Sequence, residues 1–358
     1  MTNNVTPSKT ILVIGTGTIG EPLIGLLADF KDELGIENVL FHKRTPLEDE
    51  IAKVESLCNK GASLVVNEDQ YYEFKKLGHH SVFDFSTALQ LANVVIDCTP
   101  AGNKHKKKHF IPKCVPAQRF IAQGSEKDFG PPFAYGINNE VLETNKNFIQ
   151  VVSCNTHNIC AILHSLDNNL DNIASSDFVC IRRANDISQD ENFIASPEVG
   201  RHSSRKYGTH HAKDVYDLFR TKNKSINIFS SALKVNSQYM HIIRFDIKMN
   251  EVISKEEVLQ RFRENKFIAT TKKQSANKVF SFGRDHGYYG RIFNQTVIAE
   301  SSLIVNNLFE HTRISGFCFT PQDGNSLLSS VAAALHTIHG EKYTDYMKIF
   351  DKFLFDTI

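Results

Sequence analysis

The chain has 358 residues, 41% hydrophobic and 23% charged, with 41 Lys+Arg against 40 Asp+Glu and a net charge of +1. That length exceeds one core of ordinary size, so two domains are expected. A near-neutral chain carries no broad field for nucleic acid or an anionic membrane, and no apolar run reaches the ~18 residues of a spanning helix.

Met1–Thr10 is polar and lacks the apolar stretch of a secretory leader. Thr10–Ile14 (TILVI) reads as a strand. GTGTIG follows at once, and EPLIGLLADF reads as an amphipathic helix that ends near Gly35. Glu37–His42 and Ala62–Val66 read as short strands. Asn93–Cys98 reads as a buried strand closed by Thr99-Pro100-Ala101-Gly102. Lys104–His109 (KHKKKH) reads as a solvated loop or helix face. Phe120–Ala122 leads into Gln123-Gly124, and Phe148–Val152 is another strand. Strands alternating with helices predict a parallel, doubly wound Rossmann sheet over residues 1–153. Beyond it, longer strands are expected at Val179–Arg182, Ser225–Ser230, Tyr239–Ile247 and Gln295–Val305, with a helix at Lys255–Glu264. These predict an α+β domain over 154–325, with a mainly antiparallel sheet and helices on one face. The segment 326–358 opens as a helix with Gly340 as its stop, and is assigned to the first domain. The expected class is α/β, a dinucleotide-binding domain plus an α+β catalytic domain.

The 7 cysteines are Cys58, Cys98, Cys114, Cys154, Cys160, Cys180 and Cys318. An odd number without a CxxC pair fits free thiols in a reducing, cytoplasmic setting better than disulfides or a metal site.

Gly15, Gly17 and Gly20 form GxGxxG between a predicted strand and a predicted helix. The first glycine permits the tight turn, the second lets backbone approach a pyrophosphate, and the third lets helix pack on strand. The amides around Thr18 and Ile19 then face phosphate. A carboxylate is usual ~20 residues on, where it holds a ribose 2′-hydroxyl. This chain has His42-Lys43-Arg44 there. A Lys43–Arg44 pair suits a 2′-phosphate, so NADP is expected to be accepted beside NAD; the bland alternative is that both side chains face solvent.

VVSCNT places Cys154 after an apolar strand and at the start of a predicted helix. Helix dipole and free amides stabilise a thiolate there. Cys160 and Cys180 read as buried filler.

At VVSCNT the chain resembles the archaeal-type (type II) glyceraldehyde-3-phosphate dehydrogenases, whose VVSCNTT motif carries the nucleophile. GTGTIG resembles the family's GYGTIG, DCTPAG its DCTPEG, AQGSEK its FQGGEK and IRRAND its VRRAAD. THHAKDV (from Thr209) resembles SHHxxDV, and QYMHIIRFDI (from Gln238) resembles the LMHxHxxxI strand. These lie in the family's order from about residue 10 to about 320.

The resemblance implies Cys154 as nucleophile and His241 as catalytic histidine. It implies Arg182 and Arg183, with His210 and His211, as groups that hold substrate phosphate or approach the cofactor. Ser153, Asn155 and Thr156 belong to the same phosphate-facing motif. Gly15, Gly17, Thr18, Ile19, Gly20, Thr99, Pro100 and Gly124 would face NAD or NADP. The implied partners are glyceraldehyde 3-phosphate and inorganic phosphate, and the implied assembly is a homotetramer. The implied reaction is thiohemiacetal formation, hydride transfer and phosphorolysis to 1,3-bisphosphoglycerate, in glycolysis or gluconeogenesis. His241 is expected either to take the thiol proton or to donate to the oxyanion. One of the paired arginines has a plainer role open to it, pairing with a carboxylate such as Asp186.

The chain also departs from the family. His157 stands where the family has its second Thr. The family's HQES-type segment has no clear counterpart, since Glu310–Asp323 shows no Gln in register. Ser196–Tyr207 is unusually basic, with Arg201, Arg205 and Lys206. Two readings therefore stay open beside the first: an acyl-phosphate reductase with another substrate, and a nucleotide-binding paralogue without turnover.

Overall fold

The computed structural model describes residues 9–113, 117–124, 126–144, 146–185 and 193–358. Cys114, Ser125, Asp186 and most of the polar start (residues 1–8) lie outside the described residues. The chain divides into two compact units. One comprises Met1–Pro131, Leu142–Val151 and Ser329–Ile349; the other comprises Pro132–Val141, Val152–Leu328 and Phe350–Ile358.

The first unit is a parallel sheet. Its strands run in the spatial order Phe83–Asp84, Ser63–Val66, Asn38–His42, Thr10–Ile14, Val94–Asp97, Arg119–Gln123, Phe148–Val151. Every one of these pairings is parallel. The chain winds outward from Thr10–Ile14 in one direction, then returns past it in the other, which is the doubly wound order the alternation predicts. Strands in such a sheet are covered on both faces, and accordingly Thr10–Ile14 is buried throughout. Phe110, Phe120 and Phe148 stack in its core at centroid spacings of 4.8 and 5.2 Å. The helix Gly20–Asp29 follows the glycine turn. It ends before Gly35, whose positive φ of 59° closes the connecting turns.

The KHKKKH run is only half solvated. Lys107 and Lys108 are exposed, but His105 bonds the buried Asp97 carboxylate at 2.7 Å. Lys106 donates to the Asp128 carbonyl at 3.0 Å.

The second unit is a mixed sheet in the order Glu198–Val199, Ile228–Lys234, Ile173–Arg182, His241–Met249, His311–Thr320, Thr296–Ala299, Ile268–Thr271, with Ile304–Leu308 also on His311–Thr320. Ile228–Lys234 runs parallel to Ile173–Arg182, and Ile268–Thr271 parallel to Thr296–Ala299; the other pairs are antiparallel. The single strand expected over Gln295–Val305 is two strands, interrupted by a turn at Glu300–Ser302. Along His241–Met249 burial alternates, and Ile243, Phe245, Ile247 and Met249 join the helices Cys154–Leu166, His210–Arg220 and Lys255–Glu264 in one core. Ile298 and Cys318 lie in that core, while their neighbours Val297 and Phe319 lie in another with Val279 and Ile292. Successive strand residues face opposite ways, so the helix Ala276–His286 covers the other face. The expectation of helices on one face is corrected there.

Among the described residues no helix is long and apolar enough to cross a membrane, and no cluster of His, Cys, Asp or Glu is placed to hold a metal.

Candidate active site

In the first unit, Gly15 has φ +94°, and its amide bonds the His42 carbonyl at 3.1 Å, tying the turn to the next strand. A Cβ on Gly20 would sit 2.0 Å from the Gly15 carbonyl oxygen, so only glycine lets this helix start so close to the strand. A Cβ on Gly17 would meet nothing within 4 Å. Gly17 is exposed, and the helix it precedes has no side-chain cap, with Ile19 at the cap position. Uncapped amides beside open space are a ready seat for phosphate. Thr18 lies between Gly17 and this cap.

Thr99 is fixed by Asp97, whose carboxylate accepts from Thr99 N–H at 2.9 Å and its hydroxyl at 2.7 Å. Pro100 is exposed beside it. Gly124 has φ +81° and open space where a side chain would stand.

Lys43 and Arg44 part company. Arg44 is exposed, whereas Lys43 is buried and ion-paired with Glu50. Burial pushes the Glu50 carboxyl up, but hydrogen bonds from Lys43 and Lys53 outweigh it and hold it below the usual range. His42 is desolvated to a pKa of about 4 and packs on Phe85 at 4.4 Å.

In the second unit, Cys154 is the first residue of a 13-residue helix capped by Ser153, whose hydroxyl accepts from Thr156 N–H at 3.4 Å. Ser153 and Thr156 hydroxyls bond one another at 3.0 Å. The Asn325 amide donates to the Cys154 carbonyl at 2.9 Å. Cys154 is half-buried, whereas Cys160, Cys180 and Cys318 are fully buried. Burial pushes the thiol pKa values of all three up, that of Cys318 to about 12, so they are poor nucleophiles.

The Asn155 amide donates to His211 Nε2 at 3.2 Å, and Thr209 Oγ1 lies 3.0 Å from His211 Nδ1. His211 is buried and its pKa falls to about 3, by desolvation first and then by the charges of His210 and Arg182. It is a neutral ring with Nδ1–H on Thr209. His210, next to it on the helix, is exposed.

His241 opens its strand. Its Nδ1 accepts from Arg183 N–H at 2.9 Å, and its own N–H donates to Gln322 Oε1 at 3.1 Å. Burial, then the charges of Arg183, Arg182 and His211, hold its pKa well below the ordinary value. With Nδ1 occupied as an acceptor, the neutral ring carries its proton on Nε2.

Arg183 is 3% exposed and bonds the Tyr239 carbonyl and the Asp323 carboxylate, at 3.3 and 3.2 Å. Its carboxylate here is Asp323. Arg182 is exposed.

The second unit thus links Asn155 to His211 and Arg183 to His241, and leaves Arg182 and His210 facing outward. Sequence reasoning missed Gln322 and Asn325. Gln322 lies at the end of Glu310–Asp323, the region read as lacking a counterpart, and Asn325 lies just beyond it, where Pro321 and Gly324 mark a turn after the strand. His157, the residue in place of Thr, is fully buried. Its Nδ1 turns back to the Ser153 carbonyl at 3.1 Å, and burial lowers its pKa to about 4.

No protein-family profile matches the chain. Curated relatives do. A glyceraldehyde-3-phosphate dehydrogenase of Sulfolobus acidocaldarius is 28% identical over 258 residues, 69% of this chain and 71% of its own length. One of Pyrobaculum islandicum is 25% identical over 299 residues, 82% of this chain and 83% of its own. One of Thermococcus sibiricus is 26% identical over 243 residues, 65% and 68% respectively. In sequence the chain is similar to archaeal glyceraldehyde-3-phosphate dehydrogenases at 25–28% identity, and it has a Rossmann-like parallel sheet and a second, mixed sheet.

Proposed function

We propose that this chain is a phosphorylating glyceraldehyde-3-phosphate dehydrogenase using NADP or NAD. The first unit, Met1–Pro131, Leu142–Val151 and Ser329–Ile349, would bind the cofactor, and the second would carry the chemistry; the expected boundaries 1–153 with 326–358 shift accordingly, since 132–141 and 350–358 fall in the second unit. It acts in the cytoplasm, as a homotetramer. The observation that carries the reading is Cys154, the half-buried thiol that heads a helix whose next residue, Asn155, bonds the neutral His211.

The cradle fits a dinucleotide, because Gly17 leaves open space in front of uncapped helix amides. Gly15, Gly17, Thr18, Ile19 and Gly20 would hold the pyrophosphate, with Thr99, Pro100 and Gly124 lining the approach. Arg182 would reach toward the cofactor as well. Lys43 and Arg44 would take a 2′-phosphate, with Glu50 moderating Lys43. When bound, the nicotinamide supplies a hydride acceptor.

The Cys154 thiolate attacks the aldehyde carbon and forms a C–S bond, and the carbonyl oxygen becomes an oxyanion. His241 Nε2–H and the Asn155 backbone N–H donate to that oxyanion. The tautomer set by Arg183 favours this donor role over taking the thiol proton, because the outward nitrogen already carries a proton. Loss of hydride from the same carbon leaves a thioester on Cys154. Inorganic phosphate then attacks the thioester carbon, the C–S bond breaks, and thiolate and acyl phosphate separate. Arg183, His210 and His211, with Ser153 and Thr156 at the helix start, would position the phosphate groups.

The test is reduction of NADP and of NAD with glyceraldehyde 3-phosphate, with and without inorganic phosphate. Phosphate-dependent turnover is expected. A folded protein that binds either cofactor but turns over with neither would contradict the reading.

A further inference from the structure

The first unit holds a second concave site, at the edge of its sheet away from the glycine turn. A cavity of about 300 Å³ opens there, with Gln118, Arg119, Lys146, Asn147, His336 and Thr337 in its lining. We infer that it seats the phosphate group of a small phosphorylated molecule, held by Arg119, Lys146 and His336.

The direction of the sheet separates this cavity from the cofactor cradle. Arg119 begins the strand Arg119–Gln123, and Asn147 immediately precedes Phe148–Val151. Gly15 and Gly124 directly follow Thr10–Ile14 and Arg119–Gln123. The strands run parallel from Thr10–Ile14 through Val94–Asp97 to Phe148–Val151. The cavity therefore lies at their N-terminal edge and the cradle at their C-terminal edge. At the rise of a β-strand, Arg119 and Gly124 stand about 16 Å apart.

The cavity carries uncompensated positive charge. Arg119 is half-buried, and burial pulls its guanidinium pKa down with no carboxylate opposing it. It is clasped by backbone instead, donating to the Leu142 carbonyl at 3.1 Å and the Thr144 carbonyl at 3.3 Å. Among the described residues no carboxylate pairs with Arg119 or with the exposed Lys146. Glu143 and Glu341 act on His336, but neither lines the cavity. A cation withdrawn from water in this way is costly unless an anion reaches it.

His336 completes the set. Its Nδ1 accepts from Arg119 Nη1 at 3.4 Å. Desolvation, then the charge of Arg119, lowers its pKa, so the ring is neutral and keeps its proton on Nε2. Tyr343 packs edge-on against it at 5.3 Å and fixes its plane. The floor is equally fixed. The Gln118 amide donates to the Leu89 and Ala92 carbonyls at 2.7 Å each, and the Asn147 amide donates to the Gln118 carbonyl at 2.8 Å.

Two cations and an imidazole N–H match the dianion and three terminal oxygens of a phosphate monoester better than the single charge of a carboxylate. The volume is that of a small-ligand site rather than a seat for a bare ion. Arg119 and Lys146 belong to strand starts, and His336 to the helix Leu327–His339, so a bound phosphate ties that helix to the sheet.

The experiment is calorimetric titration of the full chain with glucose 1-phosphate, a phosphate ester without a free aldehyde, beside inorganic phosphate and glucose. Wild type is expected to bind the ester at least about tenfold more tightly than inorganic phosphate, and glucose not at all. Lys146→Glu should weaken the ester at least about tenfold, with the ligand-free thermal midpoint and the turnover of wild type. Arg119→Gln should lose the ester, and Arg119→Lys should recover part of the loss. The ester should raise the thermal midpoint of wild type and not of Lys146→Glu. Saturating NADP should leave ester affinity unchanged, because the two sites lie at opposite edges. Equal ester affinity in wild type and Lys146→Glu overturns the proposal, and so does competition by NADP. Inorganic phosphate binding as tightly as the ester, and lost in the same variants, overturns the ester assignment in favour of the free ion. A chain that turns nothing over, yet loses the ester in Lys146→Glu, sinks the dehydrogenase reading and leaves this site standing.

Discussion

The glycine turn and the thiol site are built in opposite ways. Between Gly15 and Gly20 the shape is held by backbone atoms of one short stretch, and its tightest approach is Gly20 against the Gly15 carbonyl. In the second unit the paired groups come from far apart in the chain. Asn155 meets His211, Arg183 meets His241, His241 meets Gln322, and Cys154 meets Asn325. The sheet brings them together by setting Ile173–Arg182 and His311–Thr320 on either side of His241–Met249. A site of the first kind fails when one backbone atom is blocked. A site of the second kind loses function side chain by side chain while its scaffold stands.

That contrast can be broken by substitution. The largest effect is expected at Cys154: Cys154→Ser should lower kcat by about four orders of magnitude, while Cys160→Ser changes it little, as steady-state rates would show. His241→Gln should lower kcat by about 10² to 10³, the usual loss for one oxyanion donor. Its pH–rate profile should gain or lose no limb near pH 6.5, because the native ring stays neutral there.

Gly20→Ala should destabilise the first unit by about 3 kcal/mol or more, read by denaturant unfolding, because the new methyl has nowhere to go. Gly17→Ala should leave stability unchanged and weaken cofactor binding about tenfold, because its methyl would occupy space meant for a ligand. Equal behaviour of the two variants would contradict the cradle.

Acid should separate the units. His157 and His211 in the second unit have folded pKa values lowered to about 4 and about 3, against His42 at about 4 in the first. The unfolded chain binds protons on these rings near pH 6.5 and the folded chain does not. Stability is therefore present above that pH and falls as pH drops toward the folded values, by ~1.4 kcal/mol per pH unit for each such ring. Hydrogen exchange at pH 6.5 and 5 should show the larger loss of protection in the second sheet. The smallest effect is expected from Glu50→Gln. It removes the carboxylate that pairs with Lys43 and should raise the NADP-to-NAD preference severalfold.

The same contrast explains what was legible in the sequence. GTGTIG between TILVI and an amphipathic stretch fixes strand, turn and helix by local chemistry, and the parallel sheet follows from the alternation. Cys154 at a helix start was legible for the same reason. The partner of Arg183 was not, because Asp323 lies on the far side of a strand-to-loop turn with no local signal. Gln322 was missed because the segment before Gly324 was read by register against a familiar motif, whereas the strand His311–Thr320 places it by pairing with His241–Met249. Lys43 read as a ligand for a 2′-phosphate, or else as a solvent-facing cation, and only the fold shows it buried on Glu50. The helix Ala276–His286 covers the second face because Val297 and Phe319 alternate with Ile298 and Cys318, a pattern too short to read without knowing the sheet.

The central claim is that Cys154 carries the substrate as a thioester which inorganic phosphate releases. The direct test is mass spectrometry of the protein incubated with glyceraldehyde 3-phosphate and NAD or NADP, first without phosphate and then with it. The account predicts a 3-phosphoglyceroyl adduct on the peptide bearing Cys154, absent from Cys154→Ser and lost when phosphate is added. An adduct on another cysteine, or none under conditions where both ligands bind, would contradict it.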